Sequence, residues 1–223
     1  MKEHQVALPD RRQVSAILYP ASEPGLRASF VFAHGAGLSQ ASPFMRDFAT
    51  ALADHGVDVL TFNFPYMEAR RRAPDRADTL EECFLAAVTK CRELCSAGQK
   101  ILVGGKSMGG RIASYLAARE AQSRLGLAGL IVLGYPLHPP GKPDQLRTEH
   151  LHRITIPTLV VQGSRDPFGT PGELEPWFNR PAATVAVVEN GDHSFAVPKG
   201  SKQSQADVLA GIQERVARWI AGL

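Results

Sequence analysis

Seven short runs of apolar, mostly β-branched residues recur along the 223-residue chain, and helical patterns separate most of them. Continuous apolar runs such as FVFA and LIVL are typical of strands buried on both faces. Strands that alternate with helices indicate βαβ units and a mostly parallel, twisted sheet with helices on both faces, an α/β fold. The predicted strands are 14–19, 28–33, 57–64, 100–105, 127–134, 157–163 and 184–189.

Five segments carry the apolar periodicity of helices. The first has Ser42 and Pro43 at its start, which are favoured helix-initiating residues. The second begins at Asp78, with Glu81 three residues later as in a capping box. The predicted helices are 42–56, 78–98, 107–122, 172–179 and 204–223.

The composition is that of a soluble globular protein: 44% of residues are hydrophobic, 21% are charged, and the net charge is +3. We expect residues 1–223 to form one domain. There is no lysine-rich tail or aromatic-spaced basic stripe, so no nucleic-acid partner is expected. The longest nearly apolar run, 125–137, is too short to span a bilayer, which predicts no membrane partner.

The three cysteines, Cys83, Cys91 and Cys95, all fall within one predicted helix. An odd number on a single helix does not form a disulfide framework, and no histidine lies nearby to complete a metal site. We therefore expect buried thiols, no metal and a reducing, cytoplasmic location. The N-terminus lacks the apolar stretch of a signal peptide.

The sequence GGKSMGG joins the strand 100–105 to the helix 107–122 and fits the pattern G-x-S-x-G. A serine at such a sharp turn has a strained backbone, and the residues two positions away must be small. Its hydroxyl then projects over the edge of the sheet, and the N–H of Met108 points into the same space. The alternative is a glycine-rich turn in which Ser107 only caps the helix.

A nucleophilic serine needs a base, and the base needs an orienting acid. Asp166 follows the strand 157–163, and His193 follows the strand 184–189, so both are expected at the edge of the sheet that carries Ser107. We therefore predict Ser107, Asp166 and His193 as the catalytic residues. Considered separately, Asp166 could be a turn residue and His193 a surface histidine.

Other acids and histidines remain candidates for these two roles. Asp192 and Glu189 could replace Asp166, although Asp192 adjoins His193 and would have difficulty facing its ring. His138 also follows a strand, but it precedes the acid along the chain. His150 and His152 lie in the same connecting segment.

A second oxyanion donor is expected from the loop 34–37, HGAG, which follows the strand 28–33. Ala36 is the first choice for this donor and Gly35 the second. His34 is expected to hold the loop by hydrogen bonding rather than to act as a base. It could also be a buried histidine at the end of the strand, with no role.

The segment 62–76 leaves the carboxyl end of a strand and should cross near the site. Arg70, Arg71 and Arg72 could bind a carboxylate or phosphate, or could form a solvated basic loop. Tyr66 could line the pocket or simply pack. Further substrate-binding candidates are His34, His138 and Lys142, whereas Lys106 is expected to point away from the nucleophile.

Only about twenty residues, 135–155, separate the fifth and sixth predicted strands. This length is too short for a cap domain but long enough for a loop at the rim of the site. We therefore predict a shallow, open site that accepts a small or protruding acyl group.

The motifs H-G-A-G, G-K-S-M-G-G, Q-G-S-R-D and G-D-H-S-F together resemble the α/β-hydrolase superfamily, in particular its dienelactone-hydrolase-like branch. With N-F-P-Y-M-E and Y-P-L-H-P-P-G-K-P, they are also similar to the small testis-expressed α/β-hydrolase-like proteins and their bacterial relatives. The resemblance extends from about residue 14 to 221. It implies Ser107 as nucleophile, His193 as base and Asp166 as orienting acid. The resemblance to dienelactone hydrolases implies a cysteine as nucleophile, whereas this chain has Ser107 at that position. The substrate of those enzymes is therefore not expected for this protein.

The leading functional hypothesis is a serine hydrolase that cleaves a carboxylic ester or thioester without a cofactor. Its expected partner is the small-molecule substrate, and the oligomeric state is left open. One alternative is a non-catalytic α/β-hydrolase-fold protein that binds a protein partner. Another is a peptidase or acyltransferase that uses the same three residues.

Overall fold

The computed structural model describes residues 1–22 and 25–223, within which eight strands form one sheet. The spatial order of the strands is β1-β2-β4-β3-β5-β6-β7-β8. Pairing is antiparallel from β1 to β2 and from β2 to β4, and parallel across the rest of the sheet. The strands are β1 (Lys2–Ala7), β2 (Gln13–Tyr19), β3 (Ala28–Ala33), β4 (Val57–Phe62), β5 (Lys100–Lys106), β6 (Leu127–Leu133), β7 (Thr158–Gly163) and β8 (Ala183–Val188).

Strand β3 lies at the centre of the sheet, and all six of its residues are buried. It pairs with β4 on one side and with β5 on the other, so successive connections run in opposite directions from it. The crevice at such a reversal, beyond the carboxyl ends of the strands, is where open α/β sheets bind ligands. The loops that follow β3 and β5 meet there.

In the described residues, six helices cover the two faces of the sheet, and the sheet separates the core into two layers. The first layer packs α3 and α4 against side chains such as Val31 and Val103. The second packs α1 and α6 against the alternate side chains, such as Phe32 and Leu102. The helices are α1 (Pro43–Asp54), α2 (Pro65–Glu68), α3 (Ala77–Leu94), α4 (Met108–Ser123), α5 (Pro171–Phe178) and α6 (Gln205–Ala221).

The structure confirms the predicted α/β architecture, and no separate cap domain interrupts the described residues. All seven predicted strands and five predicted helices form. The sequence analysis missed β1, an edge strand in which only Val6 is buried, because its alternation is too weak to detect. It also missed α2, a single turn that begins at Pro65.

The predicted start of the second helix is wrong in detail, whereas Ser42 and Pro43 stand at the start of the first helix as predicted. Arg76 precedes α3, and Asp78 lies inside the first turn, where its carboxylate accepts from Thr79 N–H rather than forming a capping box. Ser42 precedes α1 but makes no capping hydrogen bond. Complete capping boxes occur instead at α5 (Thr170 with Glu173) and α6 (Ser204 with Asp207).

Of the helices in residues 1–22 and 25–223, none combines the length and the apolar character that a bilayer crossing requires.

Candidate active site

The turn between β5 and α4 holds Ser107 in a strained conformation, with φ 51° and ψ −114°. Glycines on both sides of Ser107 allow the turn to pack closely against β3. A Cβ on Gly105 would lie 2.5 Å from Ala33 O, and one on Gly109 would lie 2.4 Å from the same atom. The glycines therefore let the turn approach the end of β3 closely, which is what a G-x-S-x-G turn requires.

A hydrogen-bonded chain joins the three predicted catalytic residues. Ser107 Oγ lies 2.8 Å from His193 Nε2, and His193 Nδ1 lies 2.7 Å from Asp166 Oδ2. An ionised carboxylate can only accept, so Nδ1 carries the imidazole proton and Nε2 is left to accept from the serine hydroxyl. The three groups come together from the carboxyl ends of β5, β7 and β8. This arrangement can deprotonate the serine hydroxyl as it attacks.

Asp166 is buried, and three donors surround its carboxylate. Oδ1 accepts from Phe168 N–H at 2.8 Å, and Oδ2 accepts from Gln162 Nε2 at 2.9 Å as well as from His193. Gln162 is itself fixed, because its Oε1 accepts from Tyr135 N–H at 2.7 Å. Hydrogen bonds of this kind stabilise the ionised carboxylate in a buried position.

Two further contacts hold His193 in place. The ring of Phe168 packs over its imidazole with a centroid distance of 4.2 Å. Lys106 Nζ donates to the backbone oxygen of His193 at 2.6 Å and lies over the Phe195 ring. Burial lowers the pKa of Lys106 to about 8, with the Asp166 and Asp192 carboxylates acting against that shift. Lys106 thus contacts the loop that carries His193.

Two of the alternative residues, Asp192 and His150, have other partners. Asp192 Oδ1 accepts from the N–H groups of Ser194 and Ala196, both at 2.8 Å, and so shapes the turn after His193. His150 is buried against Tyr115 and lies 2.6 Å from Ser114 Oγ through Nε2. Neither replaces Asp166 or His193 in the hydrogen-bonded chain.

The loop after β3 lies against the serine turn, as the strand order requires. A Cβ on Gly35 would lie 3.6 Å from Ser107 Cβ. His34 is fully buried; its Nε2 accepts from Phe64 N–H at 3.1 Å and its Nδ1 donates to Gly35 O at 2.8 Å. Burial lowers the pKa of His34 to about 4, which keeps the ring neutral. In this position His34 links the loop to the end of β4.

A cleft of about 370 Å³ opens beside Ser107. Within the described residues, the backbone N–H groups of Met108 and Ala36 have no hydrogen-bond acceptor, and both residues line this cleft. The first N–H groups of a helix lack partners within it, which leaves Met108 N–H free to bind an anion. The cleft is lined by Ala36, Pro74, Asp75, Ala77, Leu80, Ser107, Met108, Arg111, Pro136, Arg147, Phe168 and His193.

The seven residues suggested for substrate binding all lie outside the lining of the cleft; they are His34, Tyr66, Arg70, Arg71, Arg72, His138 and Lys142. His34 and Tyr66 are fully buried and pack edge to face with each other. Arg70 is exposed, and Arg71 forms an ion pair with Asp75. His138 is buried, with Nε2 3.4 Å from Glu173 Oε1 at the start of α5. None of the seven lines the cleft, so the cleft receives its positive charge from other residues.

Sequence reasoning missed Arg111, Arg147, Phe168 and Gln162. Arg111 had a detectable signal, because it stands four residues after Ser107 on a predicted helix and so shares its face. Gln162 and Phe168 flank Asp166 along the chain, but nothing in the pattern showed their side-chain roles. Arg147 had no signal: only the path of the loop between β6 and β7 brings it to the cleft.

A larger cavity of about 640 Å³ lies between β1 and α3. Its lining includes Thr89, whose hydroxyl donates to Leu85 O, and Lys90, which pairs with Glu93. No serine, cysteine or histidine is among the described residues that line it, so this larger cavity offers none of the usual nucleophiles.

Comparison with known proteins shows relatives with this fold. A family profile described as "Alpha/beta hydrolase domain" matches residues 26–221. Hormone-sensitive lipase of Bos taurus is 30% identical over 159 residues, which are 66% of this chain and 20% of the lipase. The chain spans a fifth or less of the length of the curated relatives it matches.

Solved structures with the same fold include a Xanthomonas campestris protein described as an a/b serine hydrolase without lid. It superposes with TM-score 0.71 and 20% identity, over 98% of this chain and 94% of that chain. Dienelactone hydrolase from Anabaena variabilis superposes with TM-score 0.74 and 18% identity over 98% of this chain and 96% of that one. At these identities the likeness shows the fold alone. Because the profile covers most of the chain and the sheet has the architecture of these structures, the protein belongs to the alpha/beta hydrolase domain family.

Proposed function

We propose that the protein is a serine hydrolase that cleaves a carboxylic ester or thioester with a small or exposed acyl group. The observation that carries this proposal is the chain of two short hydrogen bonds from Ser107 Oγ through His193 to Asp166. A strained serine, a correctly oriented base and two free backbone N–H groups beside one cleft are the parts that acyl transfer needs.

In the first half of the reaction, Ser107 Oγ bonds to the carbonyl carbon while its proton passes to His193 Nε2. The carbonyl electron pair moves onto oxygen, and the N–H groups of Met108 and Ala36 stabilise the resulting oxyanion. Each donor is expected to contribute about 10²–10³ in rate. Asp166 stabilises the imidazolium through Nδ1. The tetrahedral intermediate then expels the alcohol or thiol, which takes the proton from Nε2, and an acyl-Ser107 ester remains.

In the second half, water attacks the acyl-enzyme carbonyl and gives its proton to His193 Nε2. The same N–H groups stabilise the second oxyanion. Collapse breaks the bond to Ser107 Oγ, which recovers the proton, and the carboxylic acid leaves. The cycle needs only water besides the ester or thioester.

Labelling with a fluorophosphonate probe tests the nucleophile. Wild-type protein should become covalently labelled at Ser107 and should hydrolyse 4-nitrophenyl acetate. Ser107→Ala should lose both activities. Asp166→Asn should lower kcat by about 10³–10⁴, because the amide supports the wrong imidazole tautomer.

Ser123→Ala is the matched control, since Ser123 is an exposed serine at the opposite end of α4. It should label and turn over like wild type. Folded wild-type protein that fails to label, or Ser107→Ala protein that labels equally, would show that Ser107 is not a nucleophile.

A further inference from the structure

Two arginines face the cleft beside the proposed nucleophile. Arg111 lies on α4, one turn after Ser107, and Arg147 reaches the cleft from the loop between β6 and β7. Both line the same cleft as Ser107 and His193. A substrate whose carbonyl group lies at Ser107 would therefore lie beside these two guanidinium groups.

No carboxylate of the described residues neutralises either guanidinium group. Among residues 1–22 and 25–223, neither Arg111 nor Arg147 takes part in a salt bridge. Arg111 Nε is buried and has no hydrogen-bond acceptor, and the hydrogen bond of the Arg147 guanidinium goes to the backbone oxygen of Pro136 at 3.1 Å. Burial, and then the charge of Arg111, lower the pKa of Arg147 from its ordinary value. The two partly buried guanidinium groups therefore repel each other, and each keeps N–H donors that have no acceptor among the residues described.

The scaffold holds both arginines in place. Arg147 N–H donates to Leu137 O at 2.9 Å, and the buried Tyr135 hydroxyl donates to Arg147 O at 2.6 Å. Arg111 stands over the Tyr115 ring at 6.0 Å, on a helix that is fixed by the serine turn. A preorganised pair of guanidinium groups loses little conformational entropy when it binds an anion.

One carboxylate, that of Asp75, also lines the cleft; its Oδ2 is buried without a hydrogen-bond partner among the described residues, and its Oδ1 is engaged elsewhere. Asp75 Oδ1 accepts from the guanidinium of Arg71, an exposed residue outside the cleft. No ion pair joins Asp75 to Arg111 or Arg147. Arg111 and Arg147 bring two positive charges to the lining and Asp75 brings one negative charge, so one positive charge remains in excess.

We propose that Arg111 and Arg147 bind a carboxylate carried by the substrate, so that the protein acts on esters or thioesters of negatively charged acyl or alcohol groups. The inference rests on the proposed hydrolase function. A guanidinium group presents parallel N–H donors that match the two oxygens of a carboxylate, and an unpaired pair of such groups is best satisfied by an anion. Arg111 and Arg147 are then specificity-determining residues for the reaction at Ser107.

The test compares charged esters with neutral esters of the same shape. On the acyl side, mono-4-nitrophenyl glutarate is compared with 4-nitrophenyl 5-methylhexanoate. On the alcohol side, 4-(2-carboxyethyl)phenyl acetate is compared with 4-(3-methylbutyl)phenyl acetate. The measured quantity is the ratio of kcat/KM for the charged ester to kcat/KM for its neutral partner.

Wild-type protein should favour the charged ester of at least one pair. Arg111→Gln and Arg147→Gln should each lower that ratio about tenfold to a hundredfold, as expected for loss of a charge-assisted hydrogen bond. Arg147→Lys should restore only part of the ratio, because an ammonium group lacks the planar fork. Arg215→Gln removes an exposed arginine of α6, on the other face of the sheet, and should leave the ratio unchanged.

Two results would overturn the inference: a preference for the neutral ester in both pairs, or ratios that stay at the wild-type value in Arg111→Gln and Arg147→Gln. Fluorophosphonate labelling of every variant separates this failure from failure of the hydrolase proposal. Variants that label at Ser107 but show no dependence on charge refute the carboxylate site alone. A wild-type protein that does not label refutes the hydrolase proposal itself.

Discussion

Lys106 illustrates what a single residue contributes beyond its place in a motif. In the pattern G-K-S-M-G it occupies the variable position, which the sequence analysis expected to point away from the nucleophile. Its side chain is buried and donates to the backbone oxygen of His193, on the side of the base. The hydrogen bond holds the loop that carries His193. Its energetic cost is the burial of an ammonium group that has no salt bridge to any carboxylate in the described part of the chain.

This cost predicts a pH dependence of stability. The pKa of Lys106 is lowered to about 8 in the folded state from 10.5. Between these values the unfolded chain binds more protons than the folded one, so the free energy of unfolding rises with pH. From pH 7 to 10.5, wild type should gain about 3 kcal/mol relative to Lys106→Met, which lacks the titrating group.

Urea unfolding of both proteins across this pH range measures the difference. Lys202→Met removes an exposed ammonium group and serves as the control, with a pH profile parallel to that of wild type. A Lys106→Met curve that also runs parallel to the wild-type curve would contradict the prediction.

At the scale of elements, the contact between the serine turn and the end of β3 determines the geometry of the site. Gly105 and Gly109 remove the Cβ atoms that would collide with Ala33 O, and Gly110 lets α4 approach Val132 of β6. The sequence predicted this crowding from the motif alone. It also predicted the central strands well, since β3 through β7 are strongly apolar; it missed β1, where exposure leaves no pattern.

Gly109→Ala tests this close approach. The added Cβ would lie 2.4 Å from a backbone oxygen that cannot move without displacing β3. We expect a loss of about 3 kcal/mol or more in the free energy of unfolding. Urea denaturation measures the loss, and a change below about 1 kcal/mol would show that the turn can relax.

Gly211→Ala provides the matched helical control. Gly211 lies inside α6, and nothing stands within 4 Å of where its Cβ would be. Because alanine has the higher helix propensity, this variant should be stabilised by about 0.5–1 kcal/mol. Opposite signs for the two substitutions would separate steric collision from helix propensity.

At the scale of the molecule, the cleft is assembled from six connections that are far apart in sequence. They follow β3, β4, β5, β6, β7 and β8, and the last two add Phe168 and His193. The 135–155 segment contributes Pro136 and Arg147 to the rim and forms only a 3-10 turn, Leu151–Arg153, instead of a cap. A long acyl chain would therefore find no covering domain within the described residues.

This architecture predicts a preference for short acyl groups. In the 4-nitrophenyl ester series from acetate to palmitate, kcat/KM should reach its maximum at a short chain and then stay level or fall. Carbons beyond the cleft of about 370 Å³ remain in water and gain none of the roughly 0.8 kcal/mol per buried CH₂. Initial rates in one fixed detergent concentration measure the series, and a rise that continues to palmitate would contradict an open site.

Sequence alone determined the α/β architecture and the order of the candidate residues Ser107, Asp166 and His193, because strand periodicity and turn chemistry are local. It could not identify the partners of those residues. Gln162, Phe168 and Lys106 contact Asp166 or His193 only after β5, β7 and β8 align at one edge of the sheet.

The distribution of charge around the cleft also depends on the fold. The sequence drew attention to Arg70, Arg71 and Arg72 because they follow the carboxyl end of a predicted strand. Folding pairs Arg71 with Asp75, leaves Arg70 exposed, and places Arg111 and Arg147 beside Ser107. Electrostatics depends on distances in space, and only the tertiary structure determines those.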